Sequence, residues 1–307
     1  KEEEEGLSGV LNMAQYSGWG HFGFHWVTPF HNIAGMLTES ASARLATPIF
    51  IHPDQLKGET RGLPEYEAQT TFPNPWPGGW WRLRNIMDRQ KVSAWALLDL
   101  AARNRETVLW NAYLKARRQT ERGAEGKPTA YVIPRTQHDP LTAVKMVNKL
   151  LLQGIEIQEA PKGFTTAGGV IYPAGSWVVS LAQPKMGLIR YLLGRTTYPD
   201  NEWTRARDGS PMRPYDMATD TMAEFMGVRV DPLDEAPKGE FGKIDAIRCV
   251  GRIEKGAVGY AIDGRENDAF KAVNLLLDKG IAIRRVDKAA AGLRVGDFLV
   301  GAGAPDA

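Results

Sequence analysis

The sequence has 307 residues with 38 basic and 36 acidic side chains. Because these charges nearly cancel, no overall field favours nucleic acid or an anionic membrane, and neither is expected as a partner. One cysteine, Cys249, excludes an internal disulfide framework and any zinc cluster made of cysteines alone. The length exceeds what a single hydrophobic core usually supports, which predicts two domains.

The N-terminal segment KEEEEGLSGV lacks the basic start and the apolar core of a signal peptide. No apolar run approaches the ~20 residues that a membrane-spanning helix needs. We therefore expect any export signal to lie outside this chain.

The segment GWGHFGFHW, residues 18–26, contains a G-x-G-x-x-G spacing and an H-x-x-x-H pair. A dinucleotide-binding loop needs a helix directly after its glycines, and Pro29 predicts that no helix forms here. We therefore reject a nucleotide site. In a loop, His21 and His25 have no fixed geometry, so we expect the polar edge of an aromatic loop beside a pocket. A zinc site made by His21, His25 and His31 stays open as an alternative.

The next segment, HNIAGMLTESAS, places a single acid after an apolar run. Residues 33–37 predict a buried strand that leads to Glu39. A carboxylate at the end of such a strand must find a partner or have its pKa raised, and both outcomes are common at catalytic sites. The alternative is that Glu39 caps a helix beginning near Ser40. Both interpretations stay open from spacing alone.

Three further elements are predicted in the first part of the chain. ATPIFIHP predicts a buried strand stopped by Pro53, whereas FPNPWPGGWW at residues 72–81 predicts an irregular loop. From Asp88 onward, apolar residues at helical spacing predict one long helix. Asp88 is its expected N-cap, Asn104 is the candidate position for a break, and Gly123 is the expected stop.

An internal repeat follows a linker, GAEGKP. AYVIPRTQHDPLTAVKMVNKLLLQGIEI aligns with GYAIDGRENDAFKAVNLLLDKGIAI, and AGSWVV from Ala174 aligns with VGDFLV from Val295. The alignment pairs Ile133 with Ile262, Asp139 with Asp268, and Gly154 with Gly280. Each copy, at residues 129–183 and 258–303, predicts a strand, an Asp N-cap, a helix and a second strand. Such units predict a doubly wound α/β layer with parallel strands.

The first part of the chain resembles a known family. HNIAGMLTESAS and NPWPGGWWRLRNIMDRQKVSAWALLDLAARNRETVL are similar to the C-terminal part of the catalytic domain in bacterial zinc carboxypeptidases of the carboxypeptidase A-like family. The resemblance implies a partial carboxypeptidase-like α/β domain at residues 1–123. Residues 129–307 resemble the class I glutamine amidotransferase-like domain of some members, which implies a doubly wound, flavodoxin-like domain.

The resemblance also implies roles for individual residues. Glu39 corresponds to the general base that activates a zinc-bound water and then protonates the leaving amine. Tyr16 and His31 are candidates for contacting the peptide substrate. The family binds zinc through an H-x-x-E pair and a later histidine, and no histidine here has Glu three positions on. The Zn²⁺ ligands are therefore expected upstream, in the N-terminal part of the same enzyme.

Cys249 does not fit the amidotransferase reaction. That nucleophile needs a tight strand-to-helix turn among small residues, whereas DAIRCVGRI has bulky neighbours. We expect Cys249 to be a buried packing residue in a non-catalytic domain.

Two hypotheses follow from the sequence. In the first, the chain is the C-terminal portion of an extracellular or periplasmic zinc metallocarboxypeptidase. The start at KEEEEGLSGV, without an initiator Met, favours this hypothesis. In the second, it is a catalytically inactive binding or scaffold protein that combines a degenerate peptidase domain with a non-catalytic α/β domain.

Overall fold

The computed structural model describes residues 1–12, 18–19, 24–44, 46–58, 63, 65–195, 197–213, 216–217, 221–249, 251, 253–254, 256 and 258–301. The protein is mixed α/β. Its described helices are α1 (Phe24–Phe30), α2 (Leu83–Arg103), α3 (Arg105–Glu125), α4 (Pro140–Leu152), α5 (Met186–Leu193), α6 (Met222–Met226) and α7 (Asn267–Asp278). Within these ranges, no helix combines the length and the apolar character needed to cross a bilayer.

The described strands are mostly short. They are β1 (Gly18–Trp19), β2 (Ile49–Ile51), β3 (Gly79–Trp81), β4 (Ala130–Ile133), β5 (Ile157–Glu159), β6 (Phe164–Thr165), β7 (Ile171–Tyr172), β8 (Trp177–Ser180), β9 (Asp216–Met217), β10 (Asp231–Leu233), β11 (Gly242–Ile244), β12 (Gly259–Ile262), β13 (Ile283–Arg285) and β14 (Phe298–Gly301). The chain divides into two compact units. The first contains Lys1–Lys115 and Thr197–Ala218, and the second contains Ala116–Thr196 and Thr219–Ala307.

The first unit contains two short strand pairs. β1 pairs with β9 in parallel, and β2 pairs with β3 antiparallel, with Ile49 opposite Trp81. The predicted strand at β2 is confirmed, although Phe50 is 54% exposed rather than buried. The prediction of a loop throughout residues 72–81 is wrong at its end. Beyond the last proline the backbone N–H groups are again available for a ladder, so Gly79–Trp81 can form β3.

The long helical segment breaks where the sequence predicts. α2 ends at Arg103 and α3 begins at Arg105, while the side-chain amide of Asn104 donates to the carbonyl oxygen of Leu100 at 2.9 Å. This bond competes with the backbone hydrogen bonds of the helix. The predicted N-cap at Asp88 is wrong, because the helix already begins at Leu83. Asp88 instead accepts from Arg84 one turn earlier, at 2.9 Å.

Gly123 does not stop α3. The helix continues to Glu125, and Gly123 is its buried residue. A Cβ atom at this position would overlap the carbonyl group of Leu181, so the absence of a side chain allows the two backbones to approach closely. Gly123 therefore allows close packing of α3 and does not mark the end of the helix.

The two copies of the repeat have the same strand order in the second unit. β8 lies between β4 and β5 in a five-stranded sheet ordered β10-β4-β8-β5-β11, and β14 lies between β12 and β13 in a three-stranded sheet. All ladders of both sheets are antiparallel. The expectation of a parallel, doubly wound sheet is wrong. The strands before and after each helix do run in the same direction. In each copy, however, a later antiparallel strand, β8 or β14, lies between them.

The register agrees between the copies as well. Ile133 lies opposite Trp177 in the first copy, and Ile262 lies opposite Phe298 in the second. These are the positions that the sequence alignment pairs. The two copies bury their residues unequally, because every residue of β4 is buried whereas every residue of β12 is at least partly exposed.

A buried carboxylate joins the helices of the two copies. Asp139, which is 6% exposed, accepts from the N–H of Thr142 at 2.9 Å and so caps α4 as predicted. Its second oxygen accepts from the Thr142 hydroxyl at 2.6 Å and from the N–H of Asn267, the first residue of α7, at 2.8 Å. Burial opposes the charge, but these hydrogen bonds outweigh it and lower the pKa of Asp139.

The aligned aspartate in the second copy has a different role. Glu266 occupies the N-cap of α7, and Asp268 lies inside the first turn, so the predicted cap at Asp268 is wrong. Asp268 instead pairs with Lys145 of α4. The backbone N–H at the start of α7 is satisfied by Asp139 of the other copy, which removes the need for a local Asp cap.

We expect Gly123→Ala to lower the free energy of unfolding of the second unit by about 3 kcal/mol, because the added methyl group must displace the Leu181 backbone. Gly242→Ala is the matched control, since a Cβ there meets no atom within 4 Å. Chemical denaturation of both variants measures the difference. Equal stability would contradict the close approach of α3.

We expect Asp139→Asn to lower the free energy of unfolding by about 2 kcal/mol. The amide can still cap α4, but it presents N–H groups to the N–H of Asn267. The depressed pKa of Asp139 gives stability that is present above the ordinary carboxyl pKa and is lost as the pH falls through the folded-state value. The variant should lose that acid dependence. Asp268→Asn, at the aligned position, should lose only an exposed ion pair. Denaturation of both variants between pH 2 and 7 tests this expectation, and equal pH profiles would contradict it.

Candidate functional site

Glu39 lies on an exposed segment without regular secondary structure. Residues 33–43 form neither strand nor helix, Ile33 is 54% exposed and Met36 is 59% exposed. Both expectations for this segment are therefore wrong: the buried strand does not form, and no helix begins near Ser40. A strand needs a neighbouring strand for its backbone hydrogen bonds, and no strand among the described residues pairs with this segment.

One side chain of α2 nevertheless holds the segment on both sides of Glu39. The amide nitrogen of Gln90 donates to the Ser40 hydroxyl at 3.1 Å and to the carbonyl oxygen of Thr38 at 3.4 Å. The Thr38 hydroxyl donates back to the Gln90 amide oxygen at 2.9 Å. A second anchor follows, because the indole N–H of Trp81 donates to the carbonyl oxygen of Ala41 at 2.8 Å. The backbone that carries Glu39 is thus positioned by elements of the same unit.

Glu39 lines a cavity of about 1170 Å³ within the first unit. One wall is aromatic, with Trp76 packed edge-on against Trp81 at a centroid distance of 5.5 Å. Tyr66 belongs to the same wall; burial raises its pKa, and its hydroxyl donates to the carbonyl oxygen of Trp76 at 2.9 Å. A concave, largely apolar wall with a few polar groups is typical of a site that binds an organic ligand.

Part of the polar lining of the cavity comes from α2. Arg89 lies over the ring of Trp81 at 4.7 Å and donates to the carbonyl oxygen of Ser8 at 2.9 Å. Further along the helix, Ser93 donates to the carboxylate of Glu2. These residues share one helix face with apolar residues that also line the cavity, namely Ala96, Leu97 and Leu100.

The other sequence candidates are not brought to this cavity by the described residues. Tyr16 and His21 lie outside the described residues, and His25 belongs to α1, where its side chain is not described. His31 follows α1 in a turn, and its ring Nδ1 donates to the carbonyl oxygen of Val27 at 3.0 Å. Within the described part of the chain, Glu39 lines the cavity and His31 does not.

The prediction that Pro29 forbids a helix is wrong. α1 contains Pro29 as its next-to-last residue. A proline at that place removes one backbone hydrogen bond from a helix of seven residues, and the helix ends immediately afterwards. The loop expected at residues 18–26 is therefore helical from Phe24 onward.

The described residues do not fit a zinc ion by themselves. No group of three His, Cys, Asp or Glu side chains in that part of the chain is arranged to hold a metal. A catalytic zinc needs about three protein ligands and an open position. A zinc ion that acts together with Glu39 therefore needs at least one ligand from outside the described residues.

Cys249 is exposed, so its expected role as a buried packing residue is wrong. β11 ends at Ile244, and the residues that follow it up to Cys249 have no strand structure to carry the thiol into the core. The tight strand-to-helix turn of an amidotransferase nucleophile is absent from residues 242–249.

Comparison of the chain with protein families, with curated proteins and with solved structures finds no match. Function must therefore be inferred from the chemistry of the site.

Sequence reasoning missed Gln90 and Arg89. A usable signal was present, because both polar residues lie on the helix face that also carries Ala96 and Leu97. Polar residues on an otherwise apolar helix face need partners, which here are the Glu39 segment and the backbone at Ser8.

We expect Gln90→Leu to release the backbone at residues 38–40 without unfolding the unit, because it removes three hydrogen bonds to an exposed segment. Limited proteolysis at these residues should accelerate about tenfold, as the loss of roughly 1 to 1.5 kcal/mol of hydrogen bonding predicts. Lys91→Leu is the control, since Lys91 is exposed one position further along α2. An unchanged cleavage rate in the Gln90 variant would contradict the anchoring role.

Proposed function

We propose that this chain is the C-terminal portion of a zinc-dependent metallocarboxypeptidase, which hydrolyses a peptide or related amide bond with Glu39 as general base and acid. The observation that carries the proposal is the placement of Glu39. Glu39 lines the cavity of the first unit, and Gln90 fixes the residues on both sides of it. A catalytic group must be held in position in this way, because small displacements cost large factors in rate.

The chemistry assigned to Glu39 is proton transfer. The carboxylate accepts a proton from the attacking water while the water oxygen bonds to the carbonyl carbon of the scissile amide. When the C–N bond breaks, the same proton passes to the leaving nitrogen, which departs as an amine. Glu39 is exposed, so solvent water and a peptide can both reach it.

Zn²⁺ enters the proposal as an ion bound by residues outside this chain, in the N-terminal part of the same enzyme. Such an ion stabilises developing negative charge and increases the acidity of a bound water. The proposal also includes a carboxypeptidase-like identity for residues 1–123, a glutamine amidotransferase-like identity for residues 129–307, and an extracellular or periplasmic location.

The surface of α2 supports a larger catalytic domain. This helix of 21 residues has none that is buried. Six of its large apolar residues are exposed by 42 to 63%, namely Leu83, Met87, Trp95, Leu97, Leu98 and Leu100. A helix with so many exposed apolar side chains is typically covered by further polypeptide. In the proposed enzyme, that cover is the N-terminal part of the catalytic domain.

A second candidate function is a non-catalytic binding or scaffold protein. It is favoured by one observation, the absence of a metal-binding group among the described residues. In that case the cavity beside Glu39 would bind its ligand without hydrolysing it.

The test is Glu39→Gln in the polypeptide that contains the complete catalytic domain, assayed against peptide substrates with Zn²⁺. We expect activity to fall by a factor of at least about 10² while the fold is kept, because an exposed amide replaces an exposed carboxylate. Glu67→Gln is the matched control, since Glu67 is also exposed but does not line the cavity. Full activity of the Glu39 variant would rule out the mechanism. A zinc-loaded wild-type protein that binds peptides without cleaving them would favour the second candidate.

A further inference from the structure

The first copy of the repeat shows how its outer strand is covered. β11 pairs antiparallel with β5, with Gly242 opposite Glu159 and Ile244 opposite Ile157. Opposite charges accompany this pairing, because the Lys243 ammonium lies 3.2 Å from the Glu156 carboxylate. In the first copy, an acidic edge at β5 therefore pairs with a strand that carries a lysine.

The second copy has an equivalent edge at β13. Glu159 lies opposite Trp177, and Arg285 lies opposite Phe298, which is the residue that aligns with Trp177. Arg285 thus corresponds to Glu159, and by the same register Arg284 corresponds to Gln158. Within the described ranges, β13 pairs with β14 on one side and with no strand on the other.

The free edge of β13 has unused backbone groups. The N–H of Val286 donates to the carbonyl oxygen of Asp297 at 2.9 Å. Because hydrogen-bonded pairs alternate along an antiparallel ladder, the N–H and C=O groups of Arg285 and Ile283 face away from β14. Such an edge is a template for another strand unless it is blocked by a bulge or a covering element.

The charge of this edge is opposite to that of the first copy. The side chains of Arg284 and Arg285 are exposed, and neither has an ion pair with a described residue. By charge complementarity, a strand that docks here carries acidic residues where β11 carries Lys243. We propose that the free edge of β13 binds an extended acidic segment of a partner protein by antiparallel strand addition. This inference does not depend on the role of Glu39.

The probe is the chain's own edge strand with its charge reversed. A fluorescein-labelled peptide of residues 239–246, GEFGKIDA, is compared with the same peptide carrying Lys243→Glu, and binding to the full chain is followed by fluorescence anisotropy. We expect the Lys243→Glu peptide to bind at least about threefold more tightly, because it places a carboxylate directly opposite Arg284. Hydrogen exchange should slow at Ile283 and Arg285 in the complex.

Charge reversal of the protein completes the test. Arg284→Glu, at the position that residue 243 of the peptide faces in this register, should reverse the preference, so that the lysine peptide binds more tightly. Lys271→Glu, an equal charge change at an exposed position of α7, should leave the preference unchanged. A thermal midpoint equal to that of the wild type shows that each variant is folded.

Four results would overturn the proposal. These are equal binding of the two peptides, no binding of the acidic peptide up to millimolar concentration, a dimer of this chain that Arg284→Glu dissociates, and a single-stranded oligonucleotide that binds more tightly than the acidic peptide. The third result would assign the edge to a second copy, and the fourth would assign it to nucleic acid.

Discussion

The hydrogen bonds received by the Asp139 carboxylate connect the two halves of the second unit. The first turn of any helix leaves N–H groups without partners inside the helix. Here one carboxylate accepts N–H groups from two helices, one in each copy of the repeat. Its charge persists despite burial because three donors surround it. The hydrogen bond to Asp139 matters more for the stability of α7, which buries only Ala269 and Val273, than for that of α4, which buries six residues.

The same strand topology supports two different surfaces. In the first copy, β10 and β11 cover the outer edges, and the helix is packed so that Met146 is fully buried. In the second copy the outer edges have no described neighbour, and Leu275 of α7 is 54% exposed. Stability is therefore concentrated in the first copy. The second copy keeps the topology and leaves backbone edges and arginines available for binding.

Much of the second unit could be predicted from periodicity and from the repeat. The register that places Ile133 opposite Trp177 also places Ile262 opposite Phe298, because the hydrophobic pattern of each strand specifies which face is buried. The sheet direction could not be predicted in this way. Whether a third strand inserts between two others depends on long-range pairing, which the local pattern of β8 or β14 does not contain.

The errors at the predicted helix boundaries have a common physical cause. Asp88, Gly123 and Pro29 each carry a local signal for a helix boundary, and in each case tertiary packing or neighbouring residues overrode it. The Glu39 segment shows the same limit, because residues 33–37 have the apolar composition of a strand but pair with no strand among the described residues. The hydrogen bonds from Gln90 to this segment depend on the packing of α2, which local sequence patterns do not contain.

We propose that Glu39 accepts and delivers protons at a zinc site whose ligands lie outside this chain. An experimental structure of the polypeptide with its complete catalytic domain, purified with zinc, tests this most directly. We expect one bound Zn²⁺ facing the cavity of the first unit, with the Glu39 carboxylate in contact with a water on the metal. A zinc ion bound away from Glu39, or a completed domain that binds no zinc, would contradict it.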